Sequence, residues 1–107
     1  MRIKDIINTI EQLAPLSLQE SYYNSGVQVG DVFQEAKGTL VCIDVTENVV
    51  DEAISLGCNL IISHHPLLFR SVKSITGRNY IERCVIKALK NDIVIYSSHT
   101  SLDNAED

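Results

Sequence analysis

Hydrophobic residues near the start of the chain recur at helical spacing. Apolar side chains at three- and four-residue intervals form one stripe, which predicts an amphipathic helix over residues 4–14. Pro15 ends this helix, because proline cannot donate the backbone hydrogen bond that a further turn requires. The stripe consists of Ile3, Ile6, Ile7, Ile10 and Leu13. Residues 15–26 lack a clear period and are rich in polar side chains, which indicates a loop.

Three short apolar runs farther along the chain are too brief for helices. They span residues 39–44, 60–63 and 93–96, and each is continuously apolar enough to predict a buried strand. The segment 26–30, with glycine at each end, predicts a further short strand.

Two helices are predicted between these runs. Thr46 is a candidate N-cap with Glu47 in the first turn, and Gly57 supplies a left-handed stop. Asn79 and Glu82 have the spacing of a capping box, which starts the second helix. The side chains predicted to face inward are Val49, Val50, Ala53, Ile54 and Leu56 in the first helix and Ile81, Val85, Ala88 and Leu89 in the second.

Apolar strands joined by helical crossovers are typical of a parallel sheet that is covered on both faces. At 107 residues and 45% hydrophobic content, the chain can bury one modest core. We therefore predict a single α/β domain over residues 1–107, a three-layer sandwich with a mainly parallel sheet. The sequence contains neither a membrane-spanning run nor a secretory signal, which predicts a soluble cytoplasmic protein.

The cysteines and the net charge exclude some classes of protein. Cys42, Cys58 and Cys84 are odd in number and form no C-x-x-C pair, so we expect reduced core thiols rather than a disulfide framework or a zinc knuckle. The net charge of −5 argues against non-specific nucleic-acid binding, which needs basic side chains to neutralise phosphates.

The basic residues are concentrated in one segment. Six of the nine lie between positions 70 and 90, where Glu82 is the single acid. Lys87 and Lys90 fall in the last turn of a predicted helix and complement its dipole. The role of the three basic residues before that helix stays open, and they could meet an anionic ligand. These three are Arg70, Lys73 and Arg78.

Each of the three main strands ends in a polar residue that could take part in chemistry. The first leads to Asp44, the second to His64 and His65, and the third to His99 and Asp103. Because parallel strands release their loops at one shared edge, these side chains can converge there. Two imidazoles and a carboxylate suit zinc, iron, manganese or cobalt, and they leave positions open for a water that could be activated for hydrolysis.

Structural explanations compete with this metal site. Adjacent histidines in a strand can point to opposite faces, one into the core and one to the surface. Pro66 favours two rings at the sheet edge, because it ends the strand. Asp103 could form a turn, and Asp44 is better explained as a cap of the following helix than as a ligand. His99 is better explained as a residue that orients Asp103 or contacts substrate.

Four motifs resemble the GTP cyclohydrolase I type 2 homologue family, also called the Ngg-interacting-factor-three-like proteins. They are L-Q-E-S at 18–21 with N-x-G at 24–26, D-V-T-E at 44–47, I-I-S-H-H-P at 61–66 and H-T-x-L-D-N-A at 99–105. The match covers essentially the whole chain in the family's motif order.

The resemblance implies a two-lobed α/β protein that assembles into a toroidal hexamer, with two divalent metal ions in the cleft between the lobes. It implies that this chain is the N-terminal lobe, that His64, His65 and Asp103 are metal ligands, and that Glu20 lies near them. The family completes the centre with a later H-x-x-x-E segment, which this chain lacks. We therefore expect a fragment with an incomplete site and weak metal affinity.

Two positions depart from the family's pattern. Tyr23 stands where members often carry aspartate, and Ser101 stands where they often carry asparagine. Substrate contacts from these positions are therefore left open.

Two functions are compatible with these residues. The first is metal-dependent hydrolysis of a nucleotide or a similar phosphorylated small molecule, with His99 moving a proton. The second is a non-catalytic metal-binding or partner-binding scaffold, because a fold alone does not establish an activity.

Overall fold

The structure is a computed structural model that describes residues 1–13 and 25–98. It contains three helices and four strands within these ranges. In chain order they are α1 (Ile3–Leu13), β1 (Gly26–Val29), β2 (Thr39–Cys42), α2 (Glu47–Leu56), β3 (Leu60–Ser63), α3 (Tyr80–Lys90) and β4 (Val94–Ser97). Every predicted helix and strand is confirmed to within a few residues. The predicted helix end at Pro15 lies outside the described residues.

The four strands form one sheet in the order β1-β4-β3-β2. Strands β2, β3 and β4 are parallel, and Leu60 in β3 lies opposite Thr39 in β2 and Val94 in β4. Strand β1 pairs antiparallel with β4, with an irregularity between Val27 and Val29. The prediction of a mainly parallel sheet is confirmed, and β1 supplies the antiparallel edge.

Helices cover both faces of the sheet. On one face, α2 and α3 pack against the inward side chains of the central strands, Ile61 and Ile95. On the other face, α1 packs Ile3 and Ile7 against a second group of strand residues, which includes Tyr96. The three-layer arrangement is therefore confirmed. No helix in residues 1–13 and 25–98 is long and apolar enough to cross a membrane.

Some side chains predicted to be buried are exposed. Strand β2 lies at the sheet edge, so Val41 is 70% exposed and only alternate residues of the strand are half-buried. Ile54, Leu56 and Leu89 were predicted to face inward but are also exposed. Helices α2 and α3 bury a narrower stripe of side chains than the apolar pattern predicts.

Both predicted helix starts are confirmed. The hydroxyl of Thr46 accepts a hydrogen bond from the backbone N–H of Val49 at 3.2 Å. The side-chain oxygen of Asn79 accepts one from the backbone N–H of Glu82 at 2.9 Å. Gly57 ends α2 with φ of 74°, the left-handed conformation expected of it.

Glu82 departs from the usual capping box. In that motif the carboxylate returns to the N-cap backbone N–H. Here its Oε1 atom accepts hydrogen bonds from the backbone N–H groups of the three preceding loop residues, Thr76, Gly77 and Arg78, at 2.9, 3.1 and 3.2 Å. These hydrogen bonds, of which the one from Thr76 has the largest effect, lower the pKa of Glu82 to about 2. The Arg78 guanidinium also lowers this pKa, whereas burial of the carboxylate opposes the shift. Glu82 therefore anchors the loop that leads into α3.

Replacing Glu82 with glutamine is expected to remove a pH-dependent part of the stability. Because the pKa of Glu82 falls from 4.5 to about 2 on folding, its stabilisation is complete above pH 4.5 and is lost as the pH falls toward 2. Thermal denaturation should show wild type melting above Glu82→Gln at pH 7, with the difference narrowing below pH 4.5. The exposed Glu52→Gln variant serves as the control. A difference that stays constant from pH 7 to pH 2 would exclude this role for the carboxylate.

Candidate metal centre

The segments that follow β2 and β3 run side by side at the carboxyl edge of the sheet. The backbone N–H of His64 donates to the carbonyl of Cys42 at 3.0 Å, and that of His65 donates to the carbonyl of Ile43 at 2.9 Å. Parallel pairing thus continues for two residues beyond the strands. This continued pairing brings Asp44 alongside His65.

Asp44 contacts the ring of His65 directly. The Nδ1 atom of His65 lies 2.8 Å from Oδ1 of Asp44. An ionised carboxylate can only accept a hydrogen bond, so Nδ1 is the donor and Nε2 is the nitrogen suited to a metal ion. Both side chains are accessible, with 46% of His65 and 64% of Asp44 exposed.

The prediction that Asp44 caps the following helix is wrong. Thr46 caps α2 instead, two residues later. Asp44 orients His65 because the register of β2 and β3 places the two residues side by side. Each of the two residues stands two positions after the end of its strand in the structure. The strand predicted from sequence runs to residue 44, so this alignment with His65 is not evident from the sequence.

The two histidine rings lie together at this edge. Their centroids are 4.9 Å apart and their planes are inclined by 53°. His64 is half-buried and His65 is exposed, so neither ring is a core side chain. The hydroxyl of Ser63 donates to the carbonyl of His65 at 2.8 Å, which holds the turn that presents the pair.

A cavity opens next to Asp44 and His65. Its volume is about 340 Å³, at the lower end of the range for small-molecule sites. The aromatic side chains of Phe69 and Tyr80 line it, and both are about half exposed. We call it the histidine cavity. It combines an imidazole–carboxylate pair with two aromatic surfaces.

Several predicted site residues lie outside the described residues. They are Glu20, Tyr23, His99, Ser101 and Asp103. Within residues 1–13 and 25–98, no group of three or more histidine, cysteine, aspartate or glutamate side chains forms a metal site. The described residues therefore contribute two imidazoles and one orienting carboxylate. These fit part of a site for zinc or a similar ion, and a further donor is required.

The cysteines are free, as predicted. Burial, with a smaller contribution from Asp44, raises the pKa of the Cys42 thiol to about 11. Burial also raises the pKa of Cys84 to about 11, with Glu47 the next contributor. Both thiols are therefore protonated at neutral pH, a state that disfavours metal ligation.

Comparison with known proteins gives consistent matches along the whole chain. The model of the Duf34/NIF3 (NGG1p interacting factor 3) family matches residues 1–107. The GTP cyclohydrolase 1 type 2 homolog of Clostridium acetobutylicum is 41% identical over 107 residues, and that of Clostridium perfringens is 43% identical over 106. The alignments cover 100% and 99% of this chain but 40% of each relative.

Solved structures resemble the fold closely. A Bacillus cereus protein related to NIF3 matches with a TM-score of 0.90 and 40% identity, covering 96% of this chain and 28% of that one. Reduced HcgD from Methanocaldococcus jannaschii matches with a TM-score of 0.87 and 36% identity, covering 96% and 41%. The chain thus spans less than half the length of each of these relatives.

Proposed function

Because the chain belongs to the Duf34/NIF3 family, we propose that it binds divalent metal ions through His64, His65 and Asp103 and contributes to metal-dependent hydrolysis of a nucleotide-like substrate. The observation that carries this proposal is the 2.8 Å contact between Asp44 and His65. Metal-binding histidines commonly donate their second ring N–H to a carboxylate, which fixes the tautomer and strengthens the ligand. Here the ring of His64 supplies a second imidazole, with its centroid 4.9 Å from that of His65.

The donor set indicates the kind of ion. Imidazole and carboxylate ligands suit zinc, iron, manganese or cobalt, and we propose two ions in a completed centre. Bound ions of this kind supply a Lewis acid and lower the pKa of water at the site. His64, His65 and Asp103 hold them, and Asp44 keeps His65 in the orientation for ligation.

The remaining roles belong to the chain's own side chains. We place the planar part of the substrate in the histidine cavity, where Phe69 and Tyr80 offer faces for stacking. His99 moves a proton to or from the reacting group. The curated relatives carry the name GTP cyclohydrolase 1 type 2 homolog, which supports a nucleotide-like substrate.

The chain spans 40% of the length of the Clostridium relatives, so the proposal includes donors and subunits that lie outside this chain. We propose that donors from outside residues 1–107 complete the centre and that the assembled protein is a hexamer. The same completion would raise the metal affinity above that of His64, His65 and Asp103 alone.

Turnover of a nucleotide panel with added zinc, manganese, iron or cobalt tests this function. We expect metal-dependent product formation that falls on the order of a hundredfold or more in His64→Ala. The exposed Glu52→Ala variant on α2 should retain full activity. Thermal denaturation of both variants separates a lost ligand from a lost fold. Metal binding without turnover of any nucleotide would favour the scaffold function, and absence of both would refute metal binding and hydrolysis together.

A further inference from the structure

A second cavity lies next to the histidine cavity. It has a volume of about 370 Å³ and is lined by residues 67–74, 78–79 and 81–82. Leu67 and Phe69 line both cavities and form the boundary between them. We call it the basic cavity, because three basic side chains and one acidic side chain line it. A single elongated ligand could therefore extend from one cavity into the other.

The basic side chains of this region fall into two groups. Arg83 pairs with Glu47 and Lys87 pairs with Asp51, each at 2.8 Å, across the α2–α3 surface. These two cations are therefore neutralised by α2.

The cations that line the basic cavity have fewer carboxylate partners than Arg83 and Lys87 have. Arg70 and Lys73 have no carboxylate partner within the part of the chain that the structure describes. Arg78 lies 3.5 Å from Glu82 and donates to the hydroxyl of Ser74 at 2.8 Å. Three basic groups against one acid leave the cavity a net charge of +2, in a chain whose net charge is −5. This is a local field that attracts anions.

Glu82 and Phe69 fix the wall of the basic cavity and the position of Arg70. Oε1 of Glu82 accepts from the backbone N–H groups of the loop before α3, so this carboxylate is committed to holding the cavity wall. The guanidinium of Arg70 lies 5.4 Å from the ring centroid of Phe69, which places it at the boundary with the histidine cavity. Arg70 can therefore contact a ligand where it crosses between the cavities.

We propose that the basic cavity binds the diphosphate group of a nucleotide through Arg70, Lys73 and Arg78, while the nucleotide's ring enters the histidine cavity. Guanidinium and ammonium groups are the side chains that bind phosphate oxygens with charge-assisted hydrogen bonds. The placement of the ring rests on the proposed function. Diphosphate binding does not, because it requires no metal ion.

Isothermal titration calorimetry with inorganic pyrophosphate, in the presence of EDTA, tests the basic cavity. We expect Lys73→Gln to weaken binding on the order of five- to tenfold, since one charge-assisted contact is lost. Lys90→Gln is the matched control, because it removes the same charge from the last turn of α3, outside the cavity. It should change the affinity less than about twofold, since exposed charges are screened by salt. Equal weakening in the two variants, or no binding of pyrophosphate, would overturn the proposal.

A nucleoside diphosphate tests the link between the cavities. It should bind more tightly than pyrophosphate. Tyr80 lines the histidine cavity but not the basic cavity, so Tyr80→Ala should remove that advantage and leave pyrophosphate binding unchanged. A nucleoside diphosphate that binds no more tightly than pyrophosphate would identify a site for free diphosphate and overturn the nucleotide assignment. Loss of metal binding in His64→Ala with intact pyrophosphate binding would separate this site from the metal centre.

Discussion

Gly30→Ala is expected to destabilise the protein by about 3 kcal/mol or more, from the sum of backbone strain and steric overlap. Gly30 follows β1 with φ of 105°, a conformation that L side chains rarely adopt. An added Cβ atom would lie 2.8 Å from the carbonyl oxygen of Ile93 and 2.9 Å from Cα of Val94. Both are backbone atoms, one in the residue just before β4 and one in the first residue of β4, so neither can move without disturbing the sheet.

Gly57→Ala provides a matched control. Gly57 also has positive φ, at 74°, but no heavy atom lies within 4 Å of a built Cβ. Only the conformational penalty remains, on the order of 1 kcal/mol. Urea denaturation should therefore place the Gly30→Ala midpoint well below that of Gly57→Ala. Similar midpoints would show that the close approach to β4 does not constrain Gly30.

The features that could be predicted from sequence depend on local interactions. The caps at Thr46 and Asn79 are predictable because each side chain accepts a hydrogen bond from a backbone N–H three residues later. Strands β3 and β4 were found because their short apolar runs are buried on both faces. The prediction that β2 is fully buried is wrong, because strand order depends on tertiary structure. The sequence does not state which strand lies at the edge, and Val41 is consequently exposed.

The sequence predicts the position of the two histidines in the candidate site but not the role of Asp44. His64 and His65 were placed at the carboxyl edge because that edge is where parallel strands release their loops. Their neighbour Asp44 was assigned a wrong role, because its contact with His65 depends on the register between β2 and β3. Cys42 lies opposite Ser63, so two further steps along each segment bring Asp44 opposite His65. The roles of His99 and Asp103 stay predictions, since both lie outside the described residues.

Asp44→Asn is expected to weaken zinc binding on the order of ten- to a hundredfold, the usual effect of losing a carboxylate that orients a ligating histidine. Asparagine keeps the size of the side chain and removes the charge that favours Nδ1–H of His65. The exposed Glu52→Gln variant removes the same charge from α2 and should leave the affinity unchanged. Equal zinc affinities for Asp44→Asn and wild type would remove Asp44 from the centre.

The most direct measurement follows the imidazole nitrogens of the protein by NMR during a zinc titration. The chain has three histidines, so the ring resonances are few enough to assign by substitution. We expect the resonances of His64 and His65 both to shift as zinc is added. Asp44→Asn should need a higher zinc concentration for the same shift. Zinc binding that leaves both rings unchanged would contradict the assignment of these two histidines as metal ligands.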